Sequence, residues 1–224
     1  MGKRALVLLS GGMDSTTCLA IARSEGVSCW SLSLDYGQRH RIELEMAAYQ
    51  ARVQGVERHL EVFVDLAKIG GSALTAALEV PKLEPTQGIP ITYVPGRNVI
   101  FLSIALAWAE VLEVQDLYIG ANQVDFSGYP DCRDSFLRAF EQMANLATRA
   151  GTQGDSFRIQ APLLNWSKAE IIQKGLALGV DYRYTHTCYD PPRPAVSCGL
   201  CPSCRLRLKG FEAIGAQDPL EYLT

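Results

Sequence analysis

Short apolar runs alternate along the chain with longer segments whose apolar residues recur every three or four positions. The short segments predict strands at residues 5–9, 29–34, 60–64, 117–119 and 157–161. The first of them is a continuous apolar run, which suits a parallel strand covered on both faces. The longer segments predict helices over about residues 15–24, 42–54, 99–112, 135–149 and 168–178. The pattern predicts an α/β fold with an open, mostly parallel, doubly wound sheet.

Two regions do not follow this alternation, and one of the predicted helices is unusually apolar. Residues 68–90 are rich in Gly, Pro and Thr without a clear period, which predicts a loop or lid. Residues 181–224 contain a cysteine cluster, and we expect them to form a C-terminal element beside a main domain over residues 1–180. The longest apolar run, residues 99–109, is too short to cross a bilayer and predicts a helix buried on most sides.

Composition and charge narrow the class of protein. The chain has 224 residues, 48% of them hydrophobic, which is enough for one substantial core. Its net charge of −3 at pH 7 offers no basic surface for a nucleic-acid backbone, so a small-molecule substrate is favoured over a nucleic acid. The N-terminal residues do not have the pattern of a signal peptide, which predicts a cytoplasmic protein without a membrane partner. The sequence leaves self-association as a homodimer open.

A turn with two adjacent glycines follows the first predicted strand. Its sequence, from Ser10 to Thr17, is S-G-G-M-D-S-T-T. The glycines let an anion approach the backbone, and hydroxyls stand where the first helical N–H groups lack partners, so the turn predicts a phosphate site. It lacks the Lys of a G-x-x-x-x-G-K-[ST] loop and the spacing of G-x-G-x-x-G. An ordinary strand-to-helix turn with a hydroxyl cap is the alternative.

Charged residues stand at three more predicted element ends. Asp35 follows the second strand at the edge where such sheets bind nucleotides, although a turn aspartate bonded to its own backbone is an equal alternative. Arg97 precedes a helix for which Asn98 is the predicted cap, and it is free to bind an anion. Lys168 begins a helix with a predicted capping box, Ser167–Glu170. A cation there opposes the helix dipole unless an anion lies near, which makes Lys168 a second candidate phosphate contact.

The loop after the fourth strand, residues 120–133, is dense in side chains that make directed hydrogen bonds. Loops at this edge of a sheet carry specificity. Asp125 or Asp131 could accept from the N–H edge of a guanine-like base while Phe126 or Tyr129 lies against its face. A solvated turn rich in Asp, Ser, Gly and Pro is the alternative.

Four of the seven cysteines are clustered near the C-terminus. They are Cys188, Cys198, Cys201 and Cys204, the last three in two consecutive C-x-x-C steps. Four such thiolates predict a closed structural zinc site with no position left for a catalytic water. An iron–sulfur cluster is the competitor, but no further cysteine follows Cys204 as in ferredoxin-like runs. His186 is an alternative ligand.

Several of these segments together resemble the 7-cyano-7-deazaguanine synthase family of queuosine biosynthesis. They are residues 10–17, the D-Y-G-Q-R-H run at 35–40, the P-G-R-N run at 95–98, the S-G-Y-P-D-C-R run at 127–133 and the four cysteines. The turn at residues 10–17 is shared with the wider superfamily of PP-loop ATP pyrophosphatases. The S-G-Y-P-D-C-R run and the cysteine spacing are particular to this family, and the resemblance covers residues 5 to about 208.

The resemblance implies a fold like that of the adenine nucleotide alpha-hydrolases and an ATP-dependent reaction. In that reaction 7-carboxy-7-deazaguanine and ammonia become a nitrile by way of an adenylate and an amide. The zinc would be structural. Mg²⁺, held partly by Asp14 or Asp35, would neutralise the departing pyrophosphate together with the N–H groups of the turn.

The resemblance also implies roles for individual residues. For ATP it implies Leu9, Ser10, Gly11, Gly12, Met13, Asp14, Ser15, Thr16, Thr17 and Arg97. For catalysis it implies Ser10, Asp14, Asp35 and Lys168. For the deazaguanine it implies Asp125, Phe126, Tyr129, Asp131 and Arg133.

Two other classes of protein stay open. A tRNA sulfur transferase of the same superfamily would use a cysteine as a sulfur carrier, and a nucleotide-binding regulatory module with a zinc tail would have no turnover. The acidic net charge disfavours the first class, because tRNA binding needs a basic surface. The polar loop at residues 120–133 disfavours the second, because it suits a specific small-molecule substrate.

Overall fold

Five strands of the described chain form one parallel sheet. The computed structural model describes residues 2–82, 88–124, 129–193 and 195–223. The strands are β1 (Arg4–Leu8), β2 (Ser28–Asp35), β3 (Arg58–Phe63), β4 (Asp116–Ile119) and β5 (Arg158–Gln160). Their order across the sheet is β3-β2-β1-β4-β5, and every neighbouring pair is parallel. The predicted open parallel sheet is confirmed.

Helices cover both faces of this sheet. They are α1 (Met13–Ser24), α2 (Ile42–Val53), α3 (Arg97–Leu112), α4 (Asp134–Ala147), α5 (Arg149–Thr152), α6 (Lys168–Ala177) and α7 (Pro202–Ala213). Leu6 and Leu8 of β1 pack with side chains of α3 and α4. Ala5 and Val7 pack with side chains of α1, α2 and α6. Because alternate residues of a strand point to opposite faces, the central strand is covered on both sides, as its apolar run predicts.

The apolar helix α3 is less buried than predicted. Val99, Ser103, Ala107 and Val111 are exposed, and Val111 exposes 79% of its surface. Residues four positions apart share one face of a helix, so this face lies open. The expectation of a helix buried on most sides is wrong there, because apolar composition does not show which side a neighbour covers. Among the described helices, none is both long and apolar enough to cross a membrane.

Two helices differ from their predicted extent. Helix α1 begins at Met13, two residues before the expected start, so Ser15 lies inside the helix and not at its cap. Helix α7 is not predicted by the hydrophobic pattern. Pro202 occupies its first position, where a missing N–H costs no hydrogen bond. A Cβ on Gly210 would lie 2.7 Å from Lys168 Cγ, so the glycine lets α7 lie close against α6.

The segment between β3 and α3 has turns but no helix or strand in its described residues, 68–82 and 88–90, as predicted for a loop. Ala73 in this segment is fully buried. Ala73 and Val80 pack against the four clustered cysteines. This part of the loop is therefore packed against the C-terminal element.

Side chains of α4 cover the outer edge of β5. Asn145 Nδ2 donates to the Phe157 carbonyl (3.0 Å), and Asn145 Oδ1 accepts from the Phe157 N–H (2.7 Å). The Ile159 N–H donates to Glu141 (2.7 Å), and the Ile159 carbonyl accepts from Arg138 (2.9 Å). Backbone groups that an edge strand commonly leaves unpaired are thus bonded within the chain.

A buried arginine organises the C-terminal element. Arg207 on α7 is 0% exposed and forms a bidentate ion pair with Asp218 at 2.7 and 2.9 Å. Its guanidinium also donates to the Thr185 hydroxyl (2.8 Å) and the Tyr182 carbonyl (3.0 Å). The Tyr222 hydroxyl donates to the same Asp218 carboxylate (2.5 Å). One guanidinium thus joins three separate parts of this element. The division near residue 180 stays a prediction, since α7 packs against α6 across it.

Candidate active site

A cavity of about 200 Å³ opens at the carboxyl ends of β1, β2 and β4. Parallel α/β sheets bind ligands at this edge because helix N-termini and connecting loops meet there. The wall includes the predicted phosphate turn, the starts of α3 and α6, and five residues from the C-terminal element, His186, Thr187, Tyr189, Ser203 and Leu206. These parts come from distant regions of the sequence, so the fold assembles the cavity.

The turn after β1 has a shape that requires glycine. Gly11 has a φ of +81°, and a Cβ on it would lie 2.0 Å from the Glu43 carbonyl oxygen of α2. The Ser10 N–H donates to the Ser15 hydroxyl (3.1 Å), which donates to the Gly12 carbonyl (3.1 Å). In the described chain, no side chain caps α1 at Gly12. The positive end of α1 is therefore open to an anion, as the phosphate prediction requires.

Most residues predicted to bind ATP line this cavity. They are Leu9, Ser10, Gly12, Met13, Asp14, Ser15 and Arg97. Gly11, Thr16 and Thr17 are outside its lining. Thr17 is buried, and its hydroxyl donates to the Met13 carbonyl (2.8 Å) and lies 2.7 Å from the Tyr182 hydroxyl. The expectation that the hydroxyls of Thr16 and Thr17 cap the helix is wrong. The assignment of Gly11, Thr16 and Thr17 to ATP stays a prediction.

Lys168 and Asp14 form an ion pair in the cavity wall. Lys168 Nζ lies 2.7 and 2.8 Å from the two carboxylate oxygens of Asp14. The Lys168 side chain is 8% exposed. The capping box Ser167–Glu170 that starts α6 is confirmed, and it fixes the helix end from which Lys168 projects. Two opposite charges, 154 residues apart in sequence, therefore meet beside the phosphate turn.

Asp35 lies outside the cavity lining. Its side chain is buried, Oδ1 accepts from the Gly37 N–H (3.2 Å), and Oδ2 pairs with Arg41. These contacts are those of a turn aspartate bonded to its own backbone, which the sequence leaves as the alternative. The geometry does not support a catalytic role for Asp35, and that role stays a prediction.

Two histidines line the cavity, and the sequence assigns neither of them to catalysis. His40 is 2% exposed, and its Nε2 lies 3.3 Å from Glu43 Oε2. Among the described residues, His40 Nδ1 has no hydrogen-bond partner. The signal for His40 is local, because it follows β2 by a few residues and precedes Glu43 by three. Its ring lies 6.3 Å from that of His186.

His186 joins the C-terminal element to the phosphate turn. Its backbone N–H donates to the Gly11 carbonyl (2.9 Å). Its ring Nε2 donates to the Cys188 carbonyl (2.9 Å), and burial lowers the pKa of this imidazole. The residue therefore couples the cysteine region to the backbone that would hold a phosphate.

The start of α3 is tied to the loop after β4. Asn98, the predicted cap, lies in the first turn of the helix, and Gly96 occupies the cap position. Asp131 Oδ2 accepts from the Asn98 N–H (2.9 Å), and Asn98 Nδ2 donates to the Asp131 carbonyl (2.9 Å). Asp131 is buried and outside the cavity lining, so its carboxylate serves the helix start. Its predicted contact with a base stays a prediction.

The other residues predicted to bind the deazaguanine have different positions. Tyr129 is buried and lines the cavity, with its hydroxyl 2.8 Å from Thr92 Oγ1. Arg133 is exposed and does not line the cavity. Asp125 and Phe126 lie outside the described residues, and their contacts with a base stay predictions.

Gly120 is a further cavity residue that the sequence does not single out. A Cβ on Gly120 would lie 2.8 Å from the Ser15 backbone nitrogen, so the end of β4 and the start of α1 approach closely at this point. Nearby, Asn122 Nδ2 donates to the Leu163 carbonyl (3.0 Å) and ties the same loop to the segment before α6. The available signal is a glycine directly after a strand.

The four clustered cysteines converge. Their sulfur atoms lie within 4.8 Å of one another, and all four side chains are buried. The Cys198 N–H donates to Cys188 Sγ and the Cys201 N–H to Cys198 Sγ, both at 3.3 Å. A tetrahedral ion with sulfur ligands at about 2.3 Å keeps the sulfurs about 3.8 Å apart, so this set fits one such ion. The predicted ability of the cluster to hold a metal is confirmed.

The chain is similar to known proteins over most of its length. The profile of the family described as "Queuosine biosynthesis protein QueC" matches residues 4–215. A Geobacter sulfurreducens protein named 7-cyano-7-deazaguanine synthase is 60% identical over 100% of this chain and 95% of its own length. A Pseudomonas putida protein of the same name is 58% identical over 98% of both chains. The structure of NMN synthetase from Francisella tularensis is 14% identical with a TM-score of 0.50, covering 96% of this chain and 78% of that one, and shows the fold alone.

Proposed function

This chain belongs to the family of the queuosine biosynthesis protein QueC, and we propose that it is an ATP-dependent 7-cyano-7-deazaguanine synthase. It would act as a ligase that forms a C–N bond, converting 7-carboxy-7-deazaguanine and ammonia to the nitrile. One observation supports this most. The phosphate turn, Lys168 and an aromatic wall around Arg97 line a single cavity. Such a cavity suits a nucleotide and a flat acid that must meet.

The order of the steps follows from the chemistry of a carboxylate. A carboxylate is a poor electrophile, so one of its oxygens first attacks the α-phosphorus of ATP and pyrophosphate leaves. Ammonia then displaces AMP from the acyl adenylate and gives the amide. A second ATP activates the amide oxygen, and loss of AMP with an N–H proton gives the nitrile. In both activations the deazaguanine must be held in the same alignment with the residues that bind the phosphates of ATP.

The turn and Lys168 supply electrostatic stabilisation for the leaving group. The N-terminal amides of α1 and the Lys168 ammonium are positioned for the charge that develops on pyrophosphate. Asp14 lines the cavity and Asp35 does not, so Asp14 is the carboxylate that would hold Mg²⁺ with the phosphate oxygens. Bound there, Mg²⁺ would neutralise part of the charge on the departing pyrophosphate.

The reaction also needs a proton acceptor. Protons are released when ammonia becomes the amide and again when the amide becomes the nitrile. We propose that His40 accepts them, since it lines the cavity and Glu43 lies within reach of its Nε2. An imidazole whose Nε2–H is donated to a carboxylate presents its other nitrogen as a proton acceptor.

We assign the cysteine cluster to structural zinc. A four-thiolate set around one point fits a closed tetrahedral site, whereas an iron–sulfur cluster arranges its cysteines around several atoms and needs a wider spacing. Zinc would join Cys188 to Cys201 and Cys204 at the start of α7. It would thereby hold the element that places the His186 N–H on the phosphate turn.

We expect the purified protein to carry about one zinc ion per chain by elemental analysis. Cys201→Ser should lower zinc content and thermal stability more than it alters the kcat of the protein that stays folded, because the site has no open position for chemistry. Cys29→Ser is the matched control, since Cys29 is buried in the sheet core outside the cluster and its loss should leave zinc content unchanged. Iron and sulfide in place of zinc would contradict the assignment.

Release of AMP tests the proposed activity against its alternatives. We expect AMP and pyrophosphate to form when 7-carboxy-7-deazaguanine and ATP are present, and the nitrile to form when ammonia is also supplied. AMP release that depends on tRNA and not on the acid would indicate a sulfur transferase. Nucleotide binding without AMP release under either condition would indicate a regulatory module.

A further inference from the structure

The guanidinium of Arg97 lies among aromatic rings in the cavity. Its Cζ is 5.9 Å from the ring centroid of Tyr36 and 5.9 Å from that of Phe101. These two rings are themselves 5.4 Å apart and tilted by 58°. Tyr129 and Tyr189 line the same cavity. A cation over aromatic faces is held in place while its hydrogen-bonding edge stays available to a ligand.

Two titratable neighbours of Arg97, Tyr36 and Cys132, are neutral near pH 7. Burial raises the pKa of Tyr36 to about 12 and that of the Cys132 thiol to about 11. Neither group therefore supplies a negative charge, and the charge of Arg97 is not neutralised by them.

The carboxylates of Asp14 and Asp131 are bonded to groups other than Arg97. In the described part of the chain, no carboxylate forms an ion pair with Arg97, whereas Lys168 has Asp14 at 2.7 Å. Asp131 lies beside the start of α3, the helix that begins at Arg97, but its carboxylate accepts from the Asn98 N–H. A half-buried guanidinium without a carboxylate partner is a site for an anion, because a desolvated charge is costly until it is paired.

We propose that Arg97 binds the carboxylate of the flat acid substrate, while the rings of Tyr36, Phe101 and Tyr129 lie against its ring system. This assignment rests on the proposed function and replaces the expected contact of Arg97 with ATP. A triphosphate offers charge but no apolar surface, whereas an aromatic acid offers both at once. The planar guanidinium matches a carboxylate with two parallel hydrogen bonds and holds the acid for attack on the α-phosphorus of ATP.

The assignment separates the two half-reactions. Attack by a carboxylate oxygen on the α-phosphorus expels pyrophosphate and converts the anion to an acyl adenylate, and ammonia then gives an uncharged amide. The amide keeps the ring system but has no negative charge for Arg97. Arg97 should therefore matter for binding of the acid and much less for binding of the amide.

The test compares the acid with the amide in the intact protein. Calorimetric titration should show that Arg97→Met weakens binding of 7-carboxy-7-deazaguanine by about 10- to 100-fold. Arg97→Lys should restore part of the loss, because it keeps the charge but loses the paired hydrogen bonds. Binding of the amide and the KM for ATP in the amide-to-nitrile reaction should stay within about twofold of the parent.

Arg58→Met is the matched control. Arg58 is exposed on β3 and also lies 5.9 Å from an aromatic ring, that of Trp108, but it is outside the cavity. Equal weakening of acid and amide by Arg97→Met would make Arg97 a ring-packing residue and overturn the proposal. A raised KM for ATP in both half-reactions would show that Arg97 binds the nucleotide, and it would also overturn the proposal. If the parent binds the acid but releases no AMP, the proposed function fails while the assignment of Arg97 can still be measured.

Discussion

Lys168→Met is expected to lower kcat/KM for ATP by about 100- to 1,000-fold. The Lys168 ammonium lies 2.7 Å from Asp14, beside the turn where pyrophosphate would leave, and a fixed cation there stabilises the charge of the transition state. Asp14→Asn should cause a loss of similar size, because it removes the carboxylate that would hold Mg²⁺ and the partner that positions Lys168. Steady-state release of AMP with saturating acid measures both effects.

Lys174→Met is the control for this prediction. Lys174 is exposed on the same helix α6, so its replacement should leave both activity and melting temperature unchanged. Melting curves of Lys168→Met are needed in parallel, since the change leaves the Asp14 carboxylate without its partner. Parental kcat/KM in a folded Lys168→Met protein would remove the ammonium from the mechanism.

Arg207→Met is expected to lower the free energy of unfolding by about 3–5 kcal/mol. Removal of the guanidinium leaves the buried Asp218 carboxylate, which is 2% exposed, without a counter-charge. The Thr185 hydroxyl and the Tyr182 carbonyl lose a donor at the same time. Chemical denaturation followed by circular dichroism measures the loss.

An exposed ion pair of the same element provides the comparison for Arg207. Arg193 pairs with Glu221 at 2.7 Å, but the two side chains are 68% and 65% exposed, so Arg193→Met should cost less than about 1 kcal/mol. The double change Arg207→Met with Asp218→Leu should recover part of the loss, because no unpaired charge stays buried. Equal stability of Arg207→Met and Arg193→Met would show that the buried pair does not hold the element together.

The strands are predictable from the sequence, whereas helix α7 is not. The inner strands β1 and β4 are short, mostly buried apolar runs, which the sequence marks clearly. The edge strands β3 and β5 are partly exposed, but their predicted segments still contain apolar residues at alternate positions. The buried face of α7 consists largely of Cys204, Arg207 and Gly210 with Phe211, and a search for apolar periodicity does not detect such a face. The helix is buried through an ion pair and a close helix contact. The cytoplasmic location and self-association stay predictions.

The candidate site is predictable only where it is contiguous in sequence. Residues 10–17 contain the whole phosphate turn, so their pattern is sufficient to propose it. The pairing of Lys168 with Asp14 depends on how α6 packs beside α1, which no local pattern states. Which residue after β2 reaches the cavity depends on the shape of the turn there. Asp35 bonds to the backbone of that turn, whereas His40 lines the cavity.

The cover on β5 has a consequence for association between copies of the chain. A strand from another molecule can extend a sheet only by bonding to unpaired backbone groups at its edge. At Phe157 and Ile159 those groups are bonded to three side chains of α4, which occupy the place of a sixth strand. The sheet therefore stops growing at β5 because of side-chain chemistry. A change at Asn145 would leave the backbone N–H and carbonyl of Phe157 unpaired, and this part of the edge would then be open to a strand from another copy.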